Sequence, residues 1–366
     1  MNFKFFPIES RIHDFIEFPR LIYAYDELME TEKDIIKNID TKDYISFIKH
    51  GEHLLNPYMK EIQKFYTKGE WEYSDFPFLI LRSNSIFDYE NEEGYLNYLL
   101  SLDGVQIIQS IIYTMLKAEE KDKIPDDSTW MKAKSLSTNK VDLMDYIKDL
   151  PIVPGAKWNI FLIIDDPVGY MKNYVDLMHK LLPIYQSMYV NYLDEVINYG
   201  NYFEAFLNEQ GASGLEEKTF GIVDSSMLND GTNSIFISAI NSYSLSIISY
   251  KDTHYFIWGV KIEDVFKAMK EKNENKLNER VLIFKNLGDK TRYEVVKLIA
   301  SGESSTKKIA EALEVSSATI SYHLNALVTA KIIKLDKSKN KFGYILDWGF
   351  IESAFHDLKG DLGIKK

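Results

Sequence analysis

Residues 305–327 constrain the fold of this chain more than any other segment. They contain two short stretches with apolar residues at helical spacing, separated by a tight turn. Ser305 and Ser316 stand just before the two stretches, and serine is a preferred N-cap residue because its hydroxyl accepts a hydrogen bond from the first helical turn. One face of the second stretch carries Ile320, Leu324 and Leu327. The pattern predicts a helix-turn-helix, a motif whose second helix generally enters the major groove of DNA.

The opposite face of the second stretch carries short or hydrogen-bonding side chains, and residues 316–330 include no aspartate or glutamate. Acidic side chains there would repel phosphate, so their absence favours contact with DNA.

A β-hairpin is predicted next, with Ile333 and Leu335 facing inward opposite Phe342, Tyr344 and Leu346. The tip of this hairpin, the wing, carries a lysine at every second position. The predicted DNA contacts are Lys307, Ser316, Ser317, Thr319, Ser321, Tyr322, Asn325, Lys337, Lys339 and Lys341.

The charge of the chain is unevenly distributed. The net charge is −12, which by itself argues against a nucleic-acid partner. Residues 280–347, however, hold 12 Lys and Arg against 7 Asp and Glu, whereas the remainder holds 31 against 48. A basic segment attached to an acidic body is expected when only that segment meets phosphate. We therefore expect double-stranded DNA to contact the C-terminal part alone.

Three segments of this C-terminal part resemble the winged helix-turn-helix regulators of the ArsR type: residues 287–292 (LGDKTR), 309–313 (IAEAL) and 319–327 (TISYHLNAL). The resemblance covers roughly residues 277–358. It implies a homodimeric transcription regulator, commonly a repressor, in which the first and last helices of the module form the interface. On this basis the predicted interface residues are Val281, Phe284, Trp348, Ile351 and Phe355.

The chain departs from the metal-sensing proteins of that type. Those proteins hold the metal through cysteines on the third helix or through paired Asp and His ligands on the last helix. This chain has no cysteine, and its last predicted helix offers one histidine, His356. The absence of cysteine also excludes disulfides and thiolate metal sites. We therefore expect no metal and no cofactor, and a signal of another kind, such as a small-molecule effector.

The N-terminal three-quarters of the chain reads as mostly helical to about residue 210, after a strand within residues 1–9. Three β-type runs follow at residues 234–240, 245–250 and 255–260, and the turn residues between them predict a small antiparallel meander. The predicted fold class is α+β, mainly α. The predicted domains are a sensor or regulatory domain (1–265), a polar connecting helix (266–276) and the winged helix-turn-helix (277–366).

Function in the N-terminal region is much less constrained by the sequence. No phosphate-binding, hydrolase or metalloprotease motif occurs, so we expect no enzyme. Asp165 and Asp166 read as the end of an element, because adjacent side chains do not converge. His50 and His53 are two ligands without a third. The tyrosines of residues 170–192 read as core, with a ligand cavity as the alternative. An enzyme, or a protein-interaction domain, fused to the DNA-binding module remains open.

No run of 18 apolar residues suggests a membrane span, so we expect a cytoplasmic protein.

Overall fold

The structure is a computed structural model that describes residues 2–31, 39–68, 75–119, 126–223, 228, 231–250, 253–273, 276–336 and 343–363. It is mainly α-helical with two small sheets, as predicted. The helices before the first long β-region are α1 (Pro7–Glu17), α2 (Leu21–Thr31), α3 (Lys42–Leu55), α4 (Met59–Phe65), α5 (Phe76–Leu81), α6 (Glu92–Ser101), α7 (Gly104–Glu119), α8 (Asp126–Thr138), α9 (Lys140–Asp149), α10 (Pro154–Asp165), α11 (Pro167–Tyr189), α12 (Leu193–Gln210) and α13 (Ala212–Lys218). Short 3-10 turns occupy Phe18–Arg20 and Asn56–Tyr58.

The remaining helices and the strands follow the order that the sequence predicts. The helices are α14 (Ile262–Asn273), α15 (Lys276–Leu287), α16 (Lys290–Ala300), α17 (Thr306–Leu313), α18 (Ser317–Thr329) and α19 (Trp348–Asp361). The strands of the larger sheet are β1 (Asn2–Phe5), β2 (Thr232–Ser238), β3 (Leu245–Tyr250) and β4 (Thr253–Gly259). The smaller sheet consists of β5 (Ile333–Asp336) and β6 (Gly343–Leu346).

The prediction of an antiparallel meander is wrong, although its three strands exist. The strand order is β1-β2-β4-β3, with β1 and β4 both parallel to β2 and only β3 antiparallel to β4. The physical reason lies in burial: β2 and β4 are buried along most of their described length, whereas Leu245 and Ile247 of β3 are half-buried and Ser246 is exposed. Apolar runs that are covered on both faces occupy the centre of a sheet, and β3 is therefore the edge strand.

The helical predictions hold for the long aromatic segment and fail at one boundary. The helical spacing of the aromatic-rich residues 168–207 predicts two helices, and α11 and α12 form there with Tyr174, Leu177 and Leu181 buried in the core. Apolar residues at helical spacing predict one helix over residues 54–66, but the structure divides this segment. Helix α3 begins at Lys42, and a 3-10 turn containing Pro57 precedes α4, because proline lacks the amide proton that continues a helix.

Buried apolar side chains form two clusters. The larger cluster extends from Phe3 to Met269, and the smaller from Ile283 to Ala354. The segment predicted as a polar connecting helix belongs largely to α14, which buries Val265, Phe266 and Met269 in the larger cluster. One face of α14 is thus packed against the body, and the predicted domain boundaries stay a prediction. The Lys218 ammonium lies 2.8 Å from the Glu263 carboxylate, which further attaches α14 to this body.

Two adjacent buried groups of α1 titrate abnormally. Asp14 accepts hydrogen bonds from the amides of Ala239 (2.7 Å) and Ile240 (3.4 Å) at the end of β2. Burial raises the pKa of Asp14 to about 7, against the lowering effect of these bonds. Burial also lowers the pKa of His13 below its usual value of 6.5. Folding therefore favours the protonated form of Asp14 and the neutral form of His13.

These two groups predict opposite pH dependences of stability. Between pH 3.8 and 6.5, the ordinary pKa values of the two groups, Asp14 is mostly ionised and His13 mostly protonated in the unfolded chain. Folding therefore favours proton uptake at Asp14 and proton release at His13, so the two groups change the free energy of unfolding in opposite directions as pH rises. Relative to the parent, Asp14→Asn will gain stability as pH rises through this window, and His13→Gln will lose it, each with a limiting slope of about 1.4 kcal/mol per pH unit. Urea unfolding across the window measures both. Parallel profiles for the two variants would contradict the assignment.

Candidate nucleic-acid interface

The two helices of the predicted motif and their turn form as the capping residues require. The Ser305 hydroxyl accepts a 3.5 Å hydrogen bond from the Lys308 amide at the start of α17. Glu314 adopts a left-handed conformation (φ 57°) and ends that helix. The Ser316 hydroxyl then accepts a 3.0 Å bond from the Thr319 amide at the start of α18. A left-handed glutamate is uncommon, because its side chain makes this conformation unfavourable by roughly 1–2 kcal/mol, and sequence reasoning did not identify it.

The buried face of α18 is the predicted one, and it fixes which side chains point away from the module. The three predicted core residues of α18 are at most 1% exposed: Ile320, Leu324 and Leu327. They pack with Ile309 of α17 and Val295 of α16. This packing determines the rotation of α18 about its own axis, and with it the outward face.

Three smaller predictions in the module are wrong. Helical spacing predicts Tyr293 in the core, but Tyr293 is half exposed and Val295 is buried instead, because the buried face of α16 is rotated from the predicted one. The spacing of α17 predicts Ala312 inward with Ile309 and Leu313, but Ala312 is exposed. Gly288 does not adopt the left-handed cap conformation expected of it, since α15 leads directly into the cap residue of α16, Asp289.

The predicted contacts on α18 divide by exposure. Four are exposed: Ser316, Thr319, Ser321 and Tyr322. Ser317 and Asn325 are half-buried, as is Lys307 of α17. The hydroxyls of Ser316 and Thr319 also lie 2.7 Å apart and bond to each other. The side chains of Ser321 and Asn325 on this face form no hydrogen bond within the described part of the chain. Their polar atoms are therefore available to a partner.

Arg292 of α16 has a role that the sequence did not reveal. Its Nη1 donates to the Asn286 amide oxygen, and its Nε donates to His323 Nδ1 over 3.4 Å. Its guanidinium carbon lies 5.8 Å from the Tyr322 ring centroid. Burial and Arg292 lower the pKa of His323, while Asp289 opposes them. Because Nδ1 accepts a hydrogen bond, His323 is neutral here, and Arg292 attaches the exposed helix to the rest of the module.

The hairpin forms with the predicted register. Ile333 pairs with Leu346, and Leu335 pairs with Tyr344, in antiparallel strands. Phe342 and the three lysines at the predicted tip of the wing, Lys337, Lys339 and Lys341, lie outside the described residues.

Several other lysines of the module face carboxylates. Lys308 lies 3.5 Å from Glu303, Lys331 3.1 Å from Glu279, and Lys334 3.6 Å from Asp347. Ion-paired lysines contribute less positive potential to a phosphate backbone than unpaired ones.

Apolar side chains are exposed on α15 and α19, where the resemblance placed an interface. Val281 is 57% exposed, Trp348 59% and Phe355 43%. The Phe355 ring meets Phe284 edge to face, with 5.6 Å between centroids. Ile351, the fifth predicted interface residue, is only 8% exposed and belongs to the module's own core. Three of the five predicted interface residues are therefore exposed apolar side chains on these two helices.

The acidic pair and the histidines singled out in the sequence do not assemble a site. Asp165 ends α10, and Asp166 caps α11 through a 2.9 Å bond from the Gly169 amide, as expected of an element end. His50 and His53 are exposed on α3. Across the described ranges, no three His, Asp or Glu side chains are grouped as metal ligands would be.

No single described helix is long and apolar enough to cross a membrane. Helix α6 and residues 104–118 of α7 together have the length and apolar composition of a span, but they are bent by 107° from one another.

Comparison with known proteins agrees with this geometry. Residues 287–336 match the model of a helix-turn-helix domain family. An uncharacterized HTH-type transcriptional regulator of Methanocaldococcus jannaschii is 43% identical over 67 residues, 18% of this chain and 75% of that protein. The transcriptional repressor SdpR of Bacillus subtilis is 37% identical over 62 residues, 17% of this chain and 68% of its own. The arsenical resistance operon repressor of Staphylococcus aureus is 29% identical over 76 residues, 21% of this chain and 73% of its own. No solved structure matches the chain significantly.

Proposed function

Because this chain belongs to the helix-turn-helix transcriptional regulators of the ArsR type, we propose that it is a homodimeric, sequence-specific repressor in the cytoplasm, controlled through its N-terminal body. The observation that carries the proposal is the outward face of α18. Its apolar side is buried, its outward side is free of acidic residues, and Ser321 and Tyr322 are exposed on it. Such a face fits the major groove, where base edges are read by short polar side chains.

The homodimer is supported by the exposed apolar surface of α15 and α19. Val281, Trp348 and Phe355 would lose their exposure to water against a second copy, which is favourable by roughly 25 cal/mol per Å² of apolar area removed. Two copies related by a two-fold axis place their recognition helices in successive major grooves, about one helical turn apart. Binding to both half-sites then requires a particular separation of the two α18 helices.

Repression, rather than activation, is proposed from the relatives. Two of them carry the word repressor in their names. A repressor needs only to occupy its site, and a signal that alters the separation of the two α18 helices releases it. The absence of cysteine argues against thiolate capture of a metal or of arsenic as that signal.

The N-terminal body is proposed as the regulatory domain. The predicted boundaries, residues 1–265, 266–276 and 277–366, are supported by the two hydrophobic clusters, which end at Met269 and begin at Ile283. Helix α14 is packed into the larger cluster and directly precedes the module. A change in the body therefore has a short covalent path to the recognition helices.

Ser321→Ala and Asn325→Ala will lose preference for the cognate operator while weak binding to random DNA persists, because base contacts specify and phosphate contacts position. We expect discrimination to fall by about 1–3 kcal/mol for each base edge that is no longer read. The operator comes from sequencing DNA pulled down with the full chain, and sedimentation of the labelled operator complex measures both affinity and the two-chain stoichiometry. Ser301→Ala, on the turn after α16, is the matched control. An equal loss on all sequences would contradict base reading, and one chain per operator would contradict the dimer.

A further inference from the structure

A cavity of about 440 Å³ opens between α1, α6 and the junction of α11 with α12. Its polar lining includes Arg11, Glu92, Glu93 and Tyr189, and its apolar lining includes Leu182 and Leu193. This volume lies within the range of pockets that bind small molecules, roughly 300–1,000 Å³. None of these residues belongs to the DNA-binding module.

Two of the polar side chains that line the cavity, Glu92 and Tyr189, are buried. Arg11 Nε lies 2.7 Å from Glu92 Oε1, and the Glu92 side chain is only 3% exposed. Tyr189 is 4% exposed, and its hydroxyl has no hydrogen-bond partner within the described part of the chain. A buried hydroxyl left without a partner costs roughly 1–3 kcal/mol. Tyr189 also lines the cavity, so a molecule bound there is a candidate partner for this hydroxyl.

The charges of the lining select the class of that molecule. Arg11 is offset by Glu92, so the carboxylate of Glu93 leaves the cavity acidic. Glu93 also lies 3.5 Å from His179, a contact that reduces this charge only when the histidine is protonated. An anion is therefore disfavoured. A primary ammonium has three N–H donors and no acceptor, and carboxylate and hydroxyl oxygens are the acceptors it needs.

We propose that this cavity binds a small primary amine, with its ammonium between the Glu92 and Glu93 carboxylates and the Tyr189 hydroxyl. The apolar part of the amine lies against Leu182, Val190 and Leu193. Burial holds the pKa of Tyr189 above its ordinary value, so the hydroxyl stays neutral and accepts from the ammonium. The amine is also the effector of the regulator, and this second part rests on the proposed function.

The cavity is connected to the helix that precedes the DNA-binding module. The Tyr185 hydroxyl donates over 2.7 Å to the Arg11 carbonyl of α1. One turn further along α1, Asp14 holds the end of β2 through the Ala239 amide. The Val260 amide donates over 2.9 Å to the Ser238 carbonyl, and α14 begins two residues later. A ligand that shifts α1 therefore acts on contacts that position α14.

Three probes that differ only in their head group test the site: hexylamine, hexanol and hexanoate, titrated against the full chain at about pH 8, where histidines are generally neutral. We expect hexylamine to bind at least about tenfold tighter than either other probe. Tyr189→Phe will weaken hexylamine about tenfold without lowering the melting temperature, because it removes an unpaired hydroxyl. Glu93→Gln, at a side chain 56% exposed, will weaken it similarly. Tyr293→Phe, on α16, is the control and will bind as the parent does.

Absence of hexylamine binding at about 10 mM, equal binding of all three probes, or unchanged affinity in both variants would overturn the amine site. The effector role has a separate readout, the affinity for operator DNA with and without hexylamine. A change in the parent that Tyr189→Phe abolishes supports the role, and amine binding without any change in DNA affinity overturns it. If the chain binds no DNA at all, the proposed function fails while the amine titration still decides the site.

Discussion

Replacing Lys337, Lys339 and Lys341 with glutamate will abolish binding to every DNA sequence, cognate or random. These lysines are predicted at the tip of the wing, and several other lysines of the module are paired with carboxylates. In a homodimer the replacement converts six positive charges into six negative ones. The slope of log affinity against log salt falls by about 0.9 for every phosphate that the protein no longer neutralises. Titrations of operator and random duplexes at several salt concentrations measure the residual affinity and the slope.

Charge reversal elsewhere must leave DNA binding intact if the wing is the contact. Lys132, Lys134 and Lys140 are exposed in the N-terminal body, and their joint replacement by glutamate changes the net charge by the same amount. We expect this control to retain the salt slope of the parent and nearly all of its affinity. Survival of binding in the wing variant would show that the wing is misassigned. An equal loss in the control would show that net charge alone governs affinity.

Arg20→Met will destabilise the N-terminal body by roughly 3–5 kcal/mol, the cost typical of removing one partner of a buried ion pair. Arg20 Nη1 and Nη2 donate to the two oxygens of Asp75 over 2.8 and 2.7 Å. Asp75 is fully buried and also accepts from the amides of Thr67 and Phe78. Without the guanidinium, the carboxylate is either buried as an uncompensated charge or protonated. Urea unfolding with fluorescence detection measures the loss.

The double variant Arg20→Met with Asp75→Asn separates the charge from the packing. Asparagine keeps an oxygen for the cap of α5 and carries no charge, so we expect most of the stability to return. The matched control is Lys148→Met, which breaks an exposed pair with Asp145 and will leave stability unchanged. A double variant no more stable than Arg20→Met would show that the lost stability does not come from the Asp75 charge.

The parts of the fold that were predictable are those set by local pattern. The stripe of Ile320, Leu324 and Leu327 is decided by helical periodicity, and Ser316 caps α18 because hydroxyls satisfy the first amides of a helix. The order of the larger sheet could not be inferred from turns, because the placement of β4 between β2 and β3 depends on which faces the helices cover. The uninterrupted apolar runs 235–237 in β2 and 255–258 in β4 were the available signal.

Polar networks across helices were also beyond sequence reasoning. Arg292 lies 31 positions from His323 and six from Asn286, and no local rule joins three such residues. The Arg11–Glu92 pair and the Tyr189 hydroxyl, which has no partner among the described residues, arise from three separate helices. Such contacts follow from tertiary packing, whereas the residue types alone permit many other partners.

The pairing of β1 with β2 has a consequence for the order in which the chain folds during synthesis. Asn2 lies in register with Thr232, so β1 must wait for a partner 230 positions later. At roughly 5–20 residues per second, this wait is on the order of 10–50 s on the ribosome. Contacts between residues so far apart in the sequence form slowly, because the entropy cost of closing the loop comes before the contacts add any stability. The N-terminal strand therefore spends its early life as an apolar edge without a neighbour, and chaperones that bind such segments have a defined interval in which to act.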